Sequence, residues 1–336
     1  MSTPSTAAPN PGLIFETLCA FQQTESLKAA IELDIFTHIA EGASSAAEIA
    51  QRAQTSERGM RILCDFMTLR GFLGKTEGRY SNSPTAQVLL NKRSPSYMGS
   101  IATFLAYPRL MECFDDMAGA VRKGGTVSRG TLEPEDPMWV EFARSMAPFM
   151  VAGAEGLAKI VARPGEAQKV LDISAGHGLF GLMVAKANPL AQIYGSDWAN
   201  VLVVARENAS KFGVTERFHT IPGSSFDTDL GSGYDLVLLP NFLHHFDAPT
   251  CVTLLRKLRG TMKPGSTLAI VEFVPNEDRI SPPLPAAFAI QMLGQTDGGD
   301  AFTFRELSEM VTEAGFGESR QQGLAPTPET LILANA

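Results

Sequence analysis

The chain has 336 residues, 44% of them hydrophobic and 19% charged, with a net charge of −8 at pH 7. Such a length favours two domains, or one with a large appendage, and the composition is that of a globular protein rather than a disordered one. With 36 acidic against 28 basic residues, general nucleic-acid binding is disfavoured, because it needs cations to displace counterions. The four cysteines, Cys19, Cys64, Cys113 and Cys251, are dispersed. They read as buried thiols in a reducing compartment, and no metal site is expected. No leader pattern opens the sequence and no apolar run reaches membrane-spanning length. The expectation is a cytoplasmic protein with no membrane partner.

Residues 1–10 are rich in Ser, Thr, Pro and Ala and are expected to fray. From Leu13 to Ile39 the pattern is helical but apolar on several faces, so it needs more than one packing partner, and a second chain is one way to supply it. Ser45 with Glu48 three residues on forms a capping box for a short helix. A longer helix spans Glu57 to Leu69, with Met60, Leu63, Cys64 and Met67 on one face. Phe72 to Ser81 then reads as two short strands. Helix, turn, helix and wing are winged-helix order. As a DNA reader the second helix is weak, since Arg58 and Arg61 are offset by Glu57 and Asp65. Residues 97–161 read as mostly helical, either a bundle with its own core or a pocket wall carrying Trp139, Phe142, Met146, Phe149 and Met150.

After Pro164-Gly165 strands alternate with helices. Strands are expected at Val170–Ile173, Ile193–Asp197, Phe218–Pro222, Tyr234–Leu239 and Thr267–Val274. Helices are expected at Leu179–Ala187, Val201–Phe212 and Thr250–Met262, the last ended by Lys263-Pro264-Gly265. This alternation implies an α/β fold, a parallel sheet with helices on both faces. Thr303 with Glu306 caps a further helix. Two β-like runs, 318–324 and 330–335, form a terminal hairpin that adds an antiparallel strand.

One segment carries the chemistry: Asp172-Ile173-Ser174-Ala175-Gly176-His177-Gly178-Leu179-Phe180-Gly181. Gly176, Gly178 and Gly181 have GxGxxG spacing between a strand and a helix. Glycine lets the backbone turn tightly and approach a ligand, and the helix N-terminus behind it offers N–H groups to an anion. Asp197 ends the second strand, where an acid would take ribose hydroxyls. The spacing alone is shared by nicotinamide and flavin enzymes. Asp172, however, sits where a pyrophosphate would have to bind, and a carboxylate there suits an aminoacyl ligand with a positive α-ammonium.

From about residue 10 to 336 the chain resembles the bacterial and plant small-molecule O-methyltransferases of the caffeate/hydroxyindole type. The family's D-x-G-x-G-x-G appears here as Asp172-x-Ser174-x-Gly176-x-Gly178, with serine at the first glycine. Asp197, followed by Trp198, matches its ribose acid. The run Gly223-Ser224-Ser225-Phe226 stands where the family has an aspartate facing adenine, so Ser224 or Ser225 would bond the base and Phe226 would wall its ring. For Trp198 and Phe226 plain core packing is the alternative. The family's L-H-D-W appears as Leu243-His244-His245-Phe246, which makes His244 the expected general base, with His245 as rival. Histidine suits the task as a residue type, because a neutral imidazole can take a phenolic proton near neutral pH. Glu272 would orient the base. The family's second acid, in G-G-x-E-R-T, falls on Ala301, with Asp300 one position earlier.

The resemblance implies a Rossmann-like class I methyltransferase sheet with a terminal antiparallel hairpin, preceded by a mostly α winged-helix dimerisation domain. The expected boundaries are 1–100 for dimerisation, 101–162 for a helical connection lining the substrate pocket, and 163–336 for S-adenosyl-L-methionine binding. Asp172, Ser174, Gly176, Gly178, Asp197, Trp198, Ser224, Ser225, Phe226 and Asn241 would contact the cofactor. His244, His245, Glu272 and Asp300 are the catalytic candidates. Trp139, Phe142, Met146, Phe149, Phe288 and Met292 would shape the site for a small aromatic metabolite bearing a hydroxyl. A homodimer is expected. Three alternatives stay open: a carbon or nitrogen acceptor, a cofactor-binding protein with another reaction, and a ligand-sensing transcription factor.

Overall fold

The structure, a computed structural model, describes residues 8–336. The expected fraying falls largely on residues 1–7, which lie outside the described residues. Packing divides the chain into two compact units, Met1–Ala106 and Tyr107–Ala336.

The first unit contains α1 (Pro11–Leu18), α2 (Ala20–Glu32), α3 (Ile35–Ala40), α4 (Ala46–Arg52), α5 (Glu57–Leu69), the hairpin β1 (Leu73–Thr76) and β2 (Arg79–Asn82), then α6 (Pro84–Leu89) and α7 (Ile101–Leu105). The apolar stretch expected as one helical run breaks at Cys19 and again before α3, where Asp34 takes a left-handed φ of 55°. Ser45 and Glu48 close the capping box at α4. Met60, Cys64 and Met67 of α5 are buried against Phe36 and Ile49, which gives this unit a core of its own. Arg61 is paired with Asp65 at 3.1 Å. α1 buries none of its residues, and Leu13, Ile14, Phe15 and Leu18 each expose more than 60% of their surface.

The second unit opens with α8 (Pro108–Glu112), α9 (Met117–Lys123), α10 (Pro137–Ser145) and α11 (Ala147–Val161). These helices pack in the same unit as the sheet. There follow β3 (Gln168–Ile173), α12 (Leu179–Ala187), β4 (Ala191–Asp197), α13 (Ala199–Lys211), β5 (Phe218–Pro222), β6 (Tyr234–Pro240), α14 (Ala248–Thr261) and β7 (Met262–Glu272). The chain ends with α15 (Pro283–Gln295), α16 (Phe304–Glu313), β8 (Arg320–Gly323) and β9 (Thr330–Asn335). The strand order is β5-β4-β3-β6-β7-β9-β8, with β9 antiparallel to both its neighbours. Its central strands are continuous apolar runs because helices cover both faces. Leu171, Val237, Leu239, Leu268 and Ile270 lie in one buried cluster with Leu254 and Leu258 of α14.

β3 pairs with β4 on one side and β6 on the other, in parallel. The chain thus reverses direction across the sheet at β3, and the crevice beyond the carboxyl ends of β3 and β6 is the place where such sheets bind ligands.

Two elements differ from the sequence reading. α14 ends at Thr261, just before Lys263-Pro264-Gly265, but those residues lie inside β7 as an irregular bulge, with Tyr234 paired to Met262 and Leu236 to Thr267, so the strand starts at Met262 rather than Thr267. α15 was not anticipated, because its start, Pro282-Pro283-Leu284-Pro285, looks like a helix breaker. Proline is tolerated in the first turn, where the N–H it lacks has no intrahelical partner.

Thr303 is buried and closes the capping box of α16 with Glu306. Thr303→Ala should therefore lower stability by about 1 kcal/mol, measured as a lower urea midpoint for the second unit.

Candidate functional site

The crevice is built from the ends of β3, β4, β6, β7 and β9. After β3 the loop turns through Ser174, Gly176 and Gly178, with φ of 51°, 56° and 75°. Ser174 thus occupies the left-handed region for which glycine is suited, at a strain of about 1 kcal/mol. The ring of Phe142, from α10, lies 3.6 Å from where a Cβ on Gly176 would stand. It also stacks on His177 at 6.2 Å.

The start of α12 offers fewer free N–H groups than its position suggests. Leu179 N–H donates to His177 Nδ1 at 3.1 Å, and Gly181 N–H donates to Asp172 Oδ2 at 2.9 Å. Asp172 is fully buried, its Oδ1 has no partner, and burial holds its carboxyl well above the usual range. Burial also pushes His177 down to about 4, so its ring is neutral and serves as a cap.

Asp197, at the end of β4, keeps partial exposure. Its oxygens accept from Gly176 N–H at 2.8 Å and Trp198 N–H at 2.7 Å. Burial raises its carboxyl to about 6 against the pull of those two donors. A carboxylate has about four acceptor positions, so capacity remains for hydroxyl donors. Gly223 N–H bonds the Asp197 carbonyl at 2.9 Å, which brings Ser224 and Ser225 alongside. Ser224 Oγ accepts from Phe226 N–H at 3.2 Å. Phe226 meets Phe246 edge-on at 5.0 Å, and Phe246 meets Phe242 at 5.1 Å. Trp198 packs beside Trp139, Val140 and Val201.

Past β6 the chain makes a left-handed step at Asn241 (φ 51°) and a single 3-10 turn, Leu243–His245. Glu272, at the end of β7, holds that turn. One oxygen accepts N–H groups of Phe242 and His244 at 3.1 and 3.2 Å, and the other lies 2.7 Å from His244 Nδ1. Both side chains are buried. The carboxylate fixes Nδ1 as the donor, which leaves Nε2 with the lone pair. His245 differs. It is buried with Nδ1 unpartnered, and burial together with His244 holds it well below the ordinary histidine value.

Aromatic rings surround the pair. Phe288 of α15 meets His244 edge-on at 4.8 Å, and Trp139 meets His245 at 5.4 Å. Trp139 is fixed by its Nε1–H, which donates to the Thr131 carbonyl at 3.0 Å. Phe149 is half-buried, while Met146 and Met292 are buried. Asp300 is turned elsewhere, since it pairs with Arg279 at 3.2 Å. Ala301 is buried.

The sequence reading missed Glu329. It is 2% exposed and accepts from Asn241 Nδ2 at 2.8 Å. No local pattern announces it, since it sits in a hairpin turn remote in sequence from the site.

Residues 15–92 match the O-methyltransferase dimerisation domain family, and residues 151–317 match the O-methyltransferase domain family. A protein of Nostoc punctiforme assigned as an O-methyltransferase has a solved structure 47% identical in sequence, covering 98% of this chain and 100% of that one, with a TM-score of 0.95. The tetracenomycin polyketide synthesis 8-O-methyl transferase of Streptomyces glaucescens is 26% identical over 98% of both chains. The 3-hydroxy-5-methyl-1-naphthoate 3-O-methyltransferase of Streptomyces sahachiroi is 27% identical, over 92% of this chain and 90% of that protein. Human N-acetylserotonin methyltransferase, solved with S-adenosylmethionine, shares the fold at a TM-score of 0.83 and 21% identity over 99% of each chain.

Gly299 packs against the turn, where a Cβ would collide with the carbonyl of His244 and the backbone of His245. Gly299→Ala should destabilise the protein by about 1–3 kcal/mol through overpacking, seen as a lower urea midpoint.

Proposed function

The chain belongs to the S-adenosylmethionine-dependent O-methyltransferase family, and from that premise we propose that it methylates a hydroxyl of a small aromatic metabolite with His244 as general base. It is a small-molecule O-methyltransferase that uses S-adenosylmethionine. The observation that carries the finer reading is the buried His244–Glu272 pair at 2.7 Å.

The residues of the crevice fit the cofactor, because Asp197 keeps acceptor capacity beside a loop open enough for close backbone approach. When bound, S-adenosylmethionine supplies a methyl group already activated by its sulfonium. The chain's task is then to bind, align, exclude water and take one proton. Asp197 accepts the ribose hydroxyls. Ser224 and Ser225 bond adenine, Phe226 walls it, and Trp198 backs this side through α10. Ser174, Gly176 and Gly178 let the loop backbone approach the ligand. Asp172 anchors that loop by taking the Gly181 N–H. Asn241 flanks the opposite side.

His244 Nε2 takes the hydroxyl proton, and Glu272 holds the ring and stabilises the imidazolium that forms. His245 is the weaker candidate because burial suppresses its protonation. It instead offers a neutral ring to the pocket. Trp139, Phe142, Met146, Phe149, Phe288 and Met292 supply the apolar wall, which suits a flat ring such as the naphthoate named for the Streptomyces sahachiroi relative. Asp300, held by Arg279, braces the segment leading to Ala301. The exposed apolar residues of α1 and the dimerisation family match support a homodimer.

His244→Ala should cut turnover by about 10²–10⁴-fold and leave calorimetric affinity for S-adenosylhomocysteine nearly unchanged. Turnover at the wild-type rate would remove His244 as base. Ionised Asp197 is the stronger acceptor, and its carboxyl titrates at about 6. Affinity for S-adenosylhomocysteine should thus fall about tenfold per pH unit below that value and stay flat above it. Asp197→Asn should abolish that dependence.

A further inference from the structure

Asn241 and Glu329 form a buried polar couple that the reaction as described leaves unused. Asn241 Nδ2 donates to Glu329 Oε1 at 2.8 Å and also meets Met150 Sδ at 3.9 Å. Both of its N–H positions are therefore spent. The other two oxygens, Asn241 Oδ1 and Glu329 Oε2, are buried and have no hydrogen-bond partner. The Thr327 hydroxyl lies close enough to Glu329 to pull its carboxyl down, but it spends its one proton on the Leu324 carbonyl at 2.8 Å. An unpaired buried acceptor is costly, and this couple carries two. Gly153 of α11 leaves room for the Glu329 carboxyl, since a Cβ there would stand 2.5 Å from Glu329 Oε2.

The couple's place in the fold says what fills it. In the β3–β6 pairing Asp172 lies opposite Leu238, so continuing the register puts Asn241 level with the Ala175–Gly176 turn. Asp197 lies one strand away from β3 on the far side, at the end of β4. With strands about 4.8 Å apart, a ligand whose ribose sits on Asp197 reaches β6 with its aminoacyl tail. Asp172 also has one oxygen committed, to Gly181, and one unpartnered, but no residue bonded to it reaches the surface of the crevice as Asn241 does beside Glu329. Asn241 keeps partial exposure.

We propose that Asn241 Oδ1 and Glu329 Oε2 receive the α-ammonium of the methyl donor's aminoacyl tail. The proposal rests on the donor lying in this crevice. An ammonium has three donors and no acceptor, which matches two free acceptor oxygens. Burial, reinforced by nearby Glu272, holds the Glu329 carboxyl above the usual range. Binding a cation there favours the ionised form.

The test is calorimetric, with S-adenosylhomocysteine, which carries the aminoacyl tail, and 5′-methylthioadenosine, which lacks it. Glu329→Gln removes the charge and keeps the shape. The expected result is at least tenfold weaker binding of S-adenosylhomocysteine with 5′-methylthioadenosine affinity within twofold of wild type, the second ligand also certifying the fold. Equal loss of both ligands, or retention of both, overturns the assignment. A change confined to the acceptor's KM would overturn it too and move the couple to the acceptor site. If the wild type binds neither ligand, the donor crevice itself is wrong.

Discussion

Glu272 is the residue on which the site depends. Its carboxylate is 3% exposed and accepts the main-chain N–H groups of Phe242 and His244 as well as facing His244 Nδ1. A buried carboxylate is tolerable only when its lone pairs are met by donors. Because those donors come from the 3-10 turn after β6, satisfying Glu272 and shaping the turn are one event. The turn in turn sets where Phe242, His245 and Phe246 stand, and so the aromatic side of the crevice.

Three other carboxylates share that edge of the sheet, and they are met by fewer donors. Asp197 has two main-chain N–H groups, Asp172 has one, and Glu329 has one side-chain amide. In all three, burial raises the carboxyl above its ordinary range. The unmet capacity of Asp197 and Glu329 is of the kind that a ligand with hydroxyl and ammonium donors would complete.

The second acid of the family pattern is absent at Ala301, and the region around it is arranged differently. Gly298 and Gly299 let the chain lie against Asp247 and the His244 carbonyl. Asp300 faces Arg279, which also reaches Glu306 at the start of α16. On this side His244 meets Phe288 rather than a second carboxylate. The edge of His244 on this side is therefore apolar.

Local chemistry made much of this protein legible in its sequence. Capping pairs such as Ser45–Glu48 and Thr303–Glu306, the glycine loop at 174–178 and the apolar strands are short-range signals, and the energies behind them act within a few residues. The order of strands and helices followed from them, and with it the edge where Asp197, His244 and Glu272 gather. What the tertiary structure alone decided is which polar atoms are already satisfied. Asp172 meets the Gly181 N–H of α12 while His177 takes that of Leu179, His245 is left neutral by burial, Asp300 finds Arg279, and Glu329 arrives from the terminal hairpin to meet Asn241. Those pairings join residues as far as 88 positions apart. They depend on burial and on strand register across the sheet, and neither quantity is a property of any short stretch of sequence.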